Sequence, residues 1–285
     1  MTGKAFFCFG LGYSAGFLAR QLHSDGWRIA GTTRDAPLGD EEFTLHRFSR
    51  ADLLVPDAYA EATHVLISIP PDEEGCPVLD MQQENLIACR RLEWVGYLST
   101  TNVYGDRGGG WVDEDSPLRP SGIRGQRRVS AEAGWRDLWR KTGLPVHVFR
   151  LAGIYGPGRN ALVALKAGAA RRIVKPGQVF SRIHVADLAA VLRASMAQPR
   201  PGAVYNVCDD EAAPPDAVIT YAAALLGLPA PQAEDFATGD LSPLAKSFYA
   251  DNKRVSNRRL KDELGVTLRY PTYREGLAAL NRAEI

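Results

Sequence analysis

The chain has 285 residues, 45% hydrophobic and 24% charged, an ordinary composition for a soluble globular protein and long enough for a substantial core. Its 34 Lys and Arg balance 33 Asp and Glu to a formal net charge of +1, which removes the electrostatic argument for a nucleic-acid or anionic-membrane partner. Four dispersed cysteines (Cys8, Cys76, Cys89, Cys208) form no CxxC pair, so no metal site is expected, and Cys8 and Cys208 read as small core residues.

Lys4 precedes only five apolar residues before Gly10, short of a secretory signal, and no apolar run approaches the ~18 residues of a membrane span. The expected location is the cytoplasm. Ala5–Phe9 is a continuous apolar run, the pattern of a strand buried on both faces. A glycine turn over Gly10–Gly16 opens a helix carrying Phe17, Leu18, Gln21 and Leu22, with Gly26 as its stop. Trp27–Thr32 follows as a second strand.

The alternation repeats. Val65–Ile69 reads as a strand stopped by Pro70 and Pro71, Val78–Arg91 as a helix, and Trp94–Ser99 as a strand leading into a polar loop with Gly108–Gly110. Arg124–Thr142 has helical spacing with Trp135, Leu138 and Trp139 on one side, and Leu144–Arg150 is a further strand. Strands alternating with helices predict an α/β fold of the Rossmann type, a doubly wound parallel sheet. Beyond residue 155 the elements shorten, with a strand at Ala203–Cys208, a helix at Asp216–Leu226 and a helical tail from Lys253 to Ala279. The expected partition is a Rossmann domain over 1–155 and a smaller C-terminal α/β part over 156–285 that shares strands with it.

Gly10-x-Gly12-x-x-Ala15, after a buried strand and before a helix, is the dinucleotide fingerprint in its G-x-G-x-x-A form. One glycine makes the turn, the next lets a pyrophosphate approach the backbone, and a small third residue brings helix against strand. Gly10, Gly12, Tyr13, Ser14 and Ala15 are thus cofactor candidates, with phosphate received by the helix N-terminus. The second strand runs into Thr33 and Arg34, where an NAD-binding chain carries an acid. The guanidinium of Arg34 suits a ribose 2′-phosphate, so NADP is expected ahead of NAD, with Asp35 keeping NAD open.

Five segments in order carry a resemblance: Gly10–Gly16, Leu98–Gly105, Phe149–Arg159, Arg182–Leu188 and Tyr205–Asp210. Together they resemble the extended short-chain dehydrogenase/reductase superfamily in its NAD-dependent epimerase/dehydratase branch, nearest a small bacterial epimerase-like subgroup. The resemblance implies that Thr100 hydrogen-bonds the reacting oxygen and that Ser68, Ile69 and Pro70 pack against the cofactor. It places Arg150, Gly153 and Ile154 beside the nicotinamide, and gives Arg182–Val185 and Asp187 an anchoring role.

The superfamily's Tyr-x-x-x-Lys pair, which supplies the acid/base and holds the ribose, is absent. Its two positions fall on Arg124 and Arg128. Arg128 remains a cation for ribose or phosphate, whereas the guanidinium of Arg124 gives up no proton near neutrality. Tyr104 and Tyr155 are the phenols nearest the motifs and stand as substitute acids. Arg124, Tyr155, Arg159 and His184 are the substrate-side candidates, although His184 also reads as a packed histidine, as do His64 and His147. Two functions follow: an NAD(P)-dependent epimerase or reductase of a small carbonyl or nucleotide-sugar-like substrate, or a non-catalytic NADP-binding sensor that has lost its acid/base pair. Nucleic-acid binding has neither charge excess nor motif.

Overall fold

The structure, a computed structural model, describes residues 3–35 and 42–283, with 243–245 described in backbone only. The chain begins β1 (Ala5–Phe9), α1 (Tyr13–Ser24), β2 (Arg28–Thr33), β3 (Thr44–Arg47), β4 (His64–Ile67), α2 (Pro77–Ala88) and β5 (Trp94–Thr100). It continues through β6 (Trp111–Val112), α3 (Ile123–Thr142), β7 (Val146–Leu151), β8 (Gly153–Tyr155), α4 (Ala161–Lys166), β9 (Arg172–Val174) and β10 (Arg182–His184). It closes with α5 (Val185–Ala197), β11 (Val204–Val207), α6 (Pro215–Leu225), β12 (Ala233–Asp235), α7 (Pro243–Phe248), β13 (Arg254–Val255), α8 (Arg258–Leu264) and α9 (Tyr273–Ala283).

A seven-stranded sheet runs β11-β7-β5-β4-β1-β2-β3, with β1 parallel to β2 and β4, β2 to β3, and β4 to β5. This is the doubly wound Rossmann architecture, and its reversal of strand order falls between β1 and β4. β1 and β7 are buried along their whole length, as continuous apolar strands must be when helices cover both faces. One face of the sheet packs Phe7, Phe9, Val65, Ile67, Val95 and Val146 with Val78 and Leu86 of α2 and Trp135 and Leu138 of α3. The strand β3 carries no apolar alternation and is half-buried at the sheet edge, so the sequence pattern did not announce it.

Two compact units divide the chain. One comprises residues to Thr100, Gln126–Arg150 and Ala189–Tyr205; the other comprises Thr101–Gly125, Leu151–Leu188 and the residues from Asn206 on. A single boundary at 155 is therefore corrected. The loop after β5 belongs to the second unit, while most of α5 and the start of β11 return to the first. The reason is that a parallel sheet takes its next strand only after a long crossover, so its strands come from distant stretches of chain.

The second unit has cores of its own. Tyr155, Leu162, Val218, Ala222, Leu277 and Leu280 form one, and Ile173, Leu241 and Tyr249 with Phe180 and Phe236 form another. Three two-stranded parallel pairs, β8 with β10, β9 with β12 and β6 with β13, complete it.

Candidate functional site

At the end of β1 the chain turns at Gly10, whose φ of +87° is open to glycine at low cost. Gly10 N donates to Thr32 Oγ1 at 2.9 Å and Leu11 N to Thr32 O at 2.9 Å, tying the turn to β2. A Cβ at Gly10 would lie 2.9 Å from Ile69 Cγ1, so the chain leaving β4 is packed hard on the turn. Ser68 N and Ile69 N both donate to Phe9 O, which sets Ser68 and Ile69, half-buried, and Pro70, exposed, beside it.

Gly12 differs from Gly10. It is the N-cap of α1, it is exposed, it supplies no capping side chain, and a Cβ there would meet nothing within 4 Å. Tyr13 is exposed, Ser14 half-buried, and Ala15 fully buried where α1 meets the sheet. Backbone at a helix N-terminus with open space in front of it fits a phosphate group. The residues present thus suit the pyrophosphate of a dinucleotide. At the end of β2, Thr33 is half-buried and Arg34 and Asp35 are exposed.

Thr100 ends β5, half-buried. Arg128 of α3 reaches that strand, with Nη1 donating to Leu98 O and, at 3.3 Å, to Tyr97 OH, and its guanidinium over the Tyr97 ring. Arg128, at the position the resemblance assigns to lysine, is thus fastened to the strand that presents Thr100. Arg124 lies one helical turn earlier on α3 and is exposed.

Beneath these residues Ser99 Oγ donates to Glu132 Oε1 at 2.5 Å, and Arg150 Nη2 donates to Glu132 Oε2 at 2.8 Å, both ion-pair side chains being 2% exposed. The guanidinium of Arg150, expected beside a nicotinamide, lies in the interior of the first unit, paired with Glu132. Glu132 and Ser99 were missed by sequence reasoning. The signal was a charge inside the wholly buried β7, which requires a buried partner.

Three further candidates in the second unit are interior residues. Tyr104 is fully buried and donates to Asn206 Oδ1 at 2.7 Å. Tyr155 is buried against Gly276 with its hydroxyl donating to Thr272 O at 3.4 Å, and burial raises its pKa. His184 is buried between Tyr155 and Tyr270, accepts from Ala186 N at Nδ1, and is pushed down to about 4 by burial and then by Arg269. It is a packed, neutral histidine. Gly153 and Arg159 are exposed and Ile154 half-buried, while Asp187 accepts from Arg269 N at 2.7 Å and Tyr270 N at 3.0 Å, holding the segment before α9.

The model of the NAD dependent epimerase/dehydratase family matches residues 79–208. Over those residues the chain is similar to the NAD-dependent epimerase/dehydratase family. A conserved protein of unknown function from Silicibacter pomeroyi DSS is 51% identical, with a TM-score of 0.89 and 99% of each chain covered. Protein YeeZ of Escherichia coli K12 is 28% identical over 289 residues, 92% of this chain and 94% of that one. MoeE5, solved in complex with UDP-glucose and NAD, shares the fold at 21% identity, with a TM-score of 0.80 over 98% of both chains. Among the described residues no helix is long and apolar enough to cross a membrane.

Proposed function

We propose that the first unit binds a nicotinamide dinucleotide at the β1–α1 turn, NADP in preference to NAD, and that the chain is an epimerase or reductase of a small carbonyl or nucleotide-sugar-like substrate. The open space before Gly12 carries this reading, because it admits a phosphate to the helix N-terminus. MoeE5, of the same fold, is seen with NAD and UDP-glucose, which supports the cofactor class and the substrate class. When bound, the cofactor supplies or accepts a hydride.

The chain's own residues take the remaining tasks. Gly10 and Gly12 shape the pyrophosphate turn, Ser68, Ile69 and Pro70 flank it, and Arg34 pairs with a ribose 2′-phosphate. Thr100 holds the reacting oxygen by a hydrogen bond. Arg128, fastened to β5, keeps positive charge beside that strand, and the exposed Arg124 and Arg159 are each candidates for contact with an anionic group. Arg124 gives up no proton near neutrality and Tyr104 is committed to Asn206, so neither serves as the acid/base. The sensor reading is not the one this site supports best.

Fluorescence titration with NADPH and NADH tests the assignment. NADPH is expected to bind more tightly, and Arg34→Ala to weaken it by about tenfold or more while leaving NADH nearly unchanged. Equal weakening of both would overturn the NADP preference. Failure of the native chain to bind either would overturn the cofactor.

A further inference from the structure

The second unit contains a cavity of about 510 Å3 that the dinucleotide reading does not use. Trp111, Asp113, Asp209, Asp210, Asn257 and Arg258 line it, and the parallel pair β6–β13 brings Trp111 and Val255 to it from distant parts of the chain. The volume is that of a small-molecule site.

Most of its polar groups already have partners. Asp113 Oδ1 accepts from Ser116 Oγ at 2.7 Å, and Asp210 Oδ1 accepts from Asn257 Nδ2 at 2.6 Å and from Lys261 Nζ. Asp209 is the exception. It is 3% exposed, its Oδ1 accepts from Glu211 N at 3.3 Å, and its buried Oδ2 has no hydrogen-bond partner among the described residues. A buried, unsatisfied carboxyl oxygen is costly, and a ligand that donates to it removes the cost. Burial also raises the Asp209 carboxyl to about 8, with Arg182 opposing the rise and Asp210 adding to it.

Two more observations specify the donor. Trp111 leaves 65% of its surface exposed at the cavity, an unusual placement for an indole and a face on which a cation is attracted. With Asp209 protonated near neutrality, Asp113 and Asp210 against the guanidinium of Arg258 still leave the lining at −1, counting one negative charge for each ionised aspartate. A bare metal ion does not fit, because no three His, Cys, Asp or Glu among the described residues are grouped to hold one.

We propose that this cavity binds a small organic ammonium ligand, with its N–H groups donated to Asp209 Oδ2 and its body lying over the Trp111 indole. Its lining residues all belong to the second unit.

Isothermal titration of the full chain with benzylamine, in the absence of dinucleotide and at low ionic strength, tests it. Benzyl alcohol serves as the uncharged isostere. Benzylamine is expected to bind saturably and benzyl alcohol at least about tenfold more weakly. Asp209→Asn and Trp111→Ala are each expected to weaken benzylamine by about tenfold while NADPH binding stays at the native level. Absence of saturable benzylamine binding, equal binding of the alcohol, or native affinity in Trp111→Ala would overturn the proposal. The exposed Trp111 variant decides the matter should Asp209→Asn fail to fold, and retained NADPH binding separates a failure here from a failure of the cofactor reading.

Discussion

Gly10 and Gly12 stand two residues apart in one motif, and a methyl group would meet opposite fates at them. At Gly10 it would be placed at φ +87° and 2.9 Å from Ile69 Cγ1, a backbone penalty together with a packing clash. At Gly12, with φ −93°, it would project into open space. Gly10→Ala is therefore expected to lower unfolding stability by about 1–3 kcal/mol, read by urea denaturation. Gly12→Ala should unfold like the native chain and lose dinucleotide affinity. A Gly12→Ala protein that binds NADPH normally would remove the turn from the site. Residue identity made both glycines visible in the sequence, but their different jobs rest on what lies across the turn, and Ile69 is 59 positions away from Gly10.

At the scale of elements, β5, α3 and β7 are locked by Ser99, Glu132 and Arg150. The pair is buried on both sides, where mutual attraction must offset two desolvation costs and loss of either partner strands a charge. Glu132→Ala is expected to destabilise the first unit by about 3–5 kcal/mol, whereas an apolar replacement of both partners costs far less. Chemical denaturation of Glu132→Ala beside Arg150→Met/Glu132→Leu measures this; a single variant as stable as the double would contradict it. The same lock carries consequences for the site, since α3 also presents Arg128 to β5 and β5 ends in Thr100. The helix and both strands were readable from apolar spacing to within a residue or two. The lock was not, because helical and strand periodicity report which face is buried and say nothing of which buried charge faces which.

For the whole molecule, buried titratable groups set how stability responds to pH. Burial lowers His64 and His147 of the first unit to about 4 from an ordinary 6.5, with Lys4 adding to the effect at His64. A histidine whose folded pKa lies below its unfolded value favours the fold above pH 6.5 and loses that contribution as pH falls towards 4, by roughly 3 kcal/mol apiece. Asp209 of the second unit runs the other way. Its folded pKa of about 8 lies above the ordinary carboxylate value of 3.8, so its contribution is fully present below 3.8 and is lost as pH rises through 8. The expected result is that Asp209→Asn gains stability relative to the native chain as pH is raised from 5 to about 8.5, read as the difference in thermal midpoints. A constant difference across that range would mean that Asp209 titrates as an exposed carboxylate.

The sequence by itself determined the Rossmann architecture, the glycine turn after β1, the place of Arg34 at the end of β2 and the loss of the Tyr-x-x-x-Lys pair. All of these are written in local features: an apolar run, a glycine spacing, a residue type at a strand end. Only the tertiary structure decided that Tyr104, Tyr155, His184 and Arg150 are interior residues, and that the chain interleaves between two units instead of dividing at 155. Whether a phenol or a guanidinium is available to a ligand depends on which distant residue it meets. Asn206 stands 102 positions from Tyr104, and Thr272 stands 117 from Tyr155. No spacing rule along the chain encodes such a meeting, because it is fixed by how the strands and helices pack.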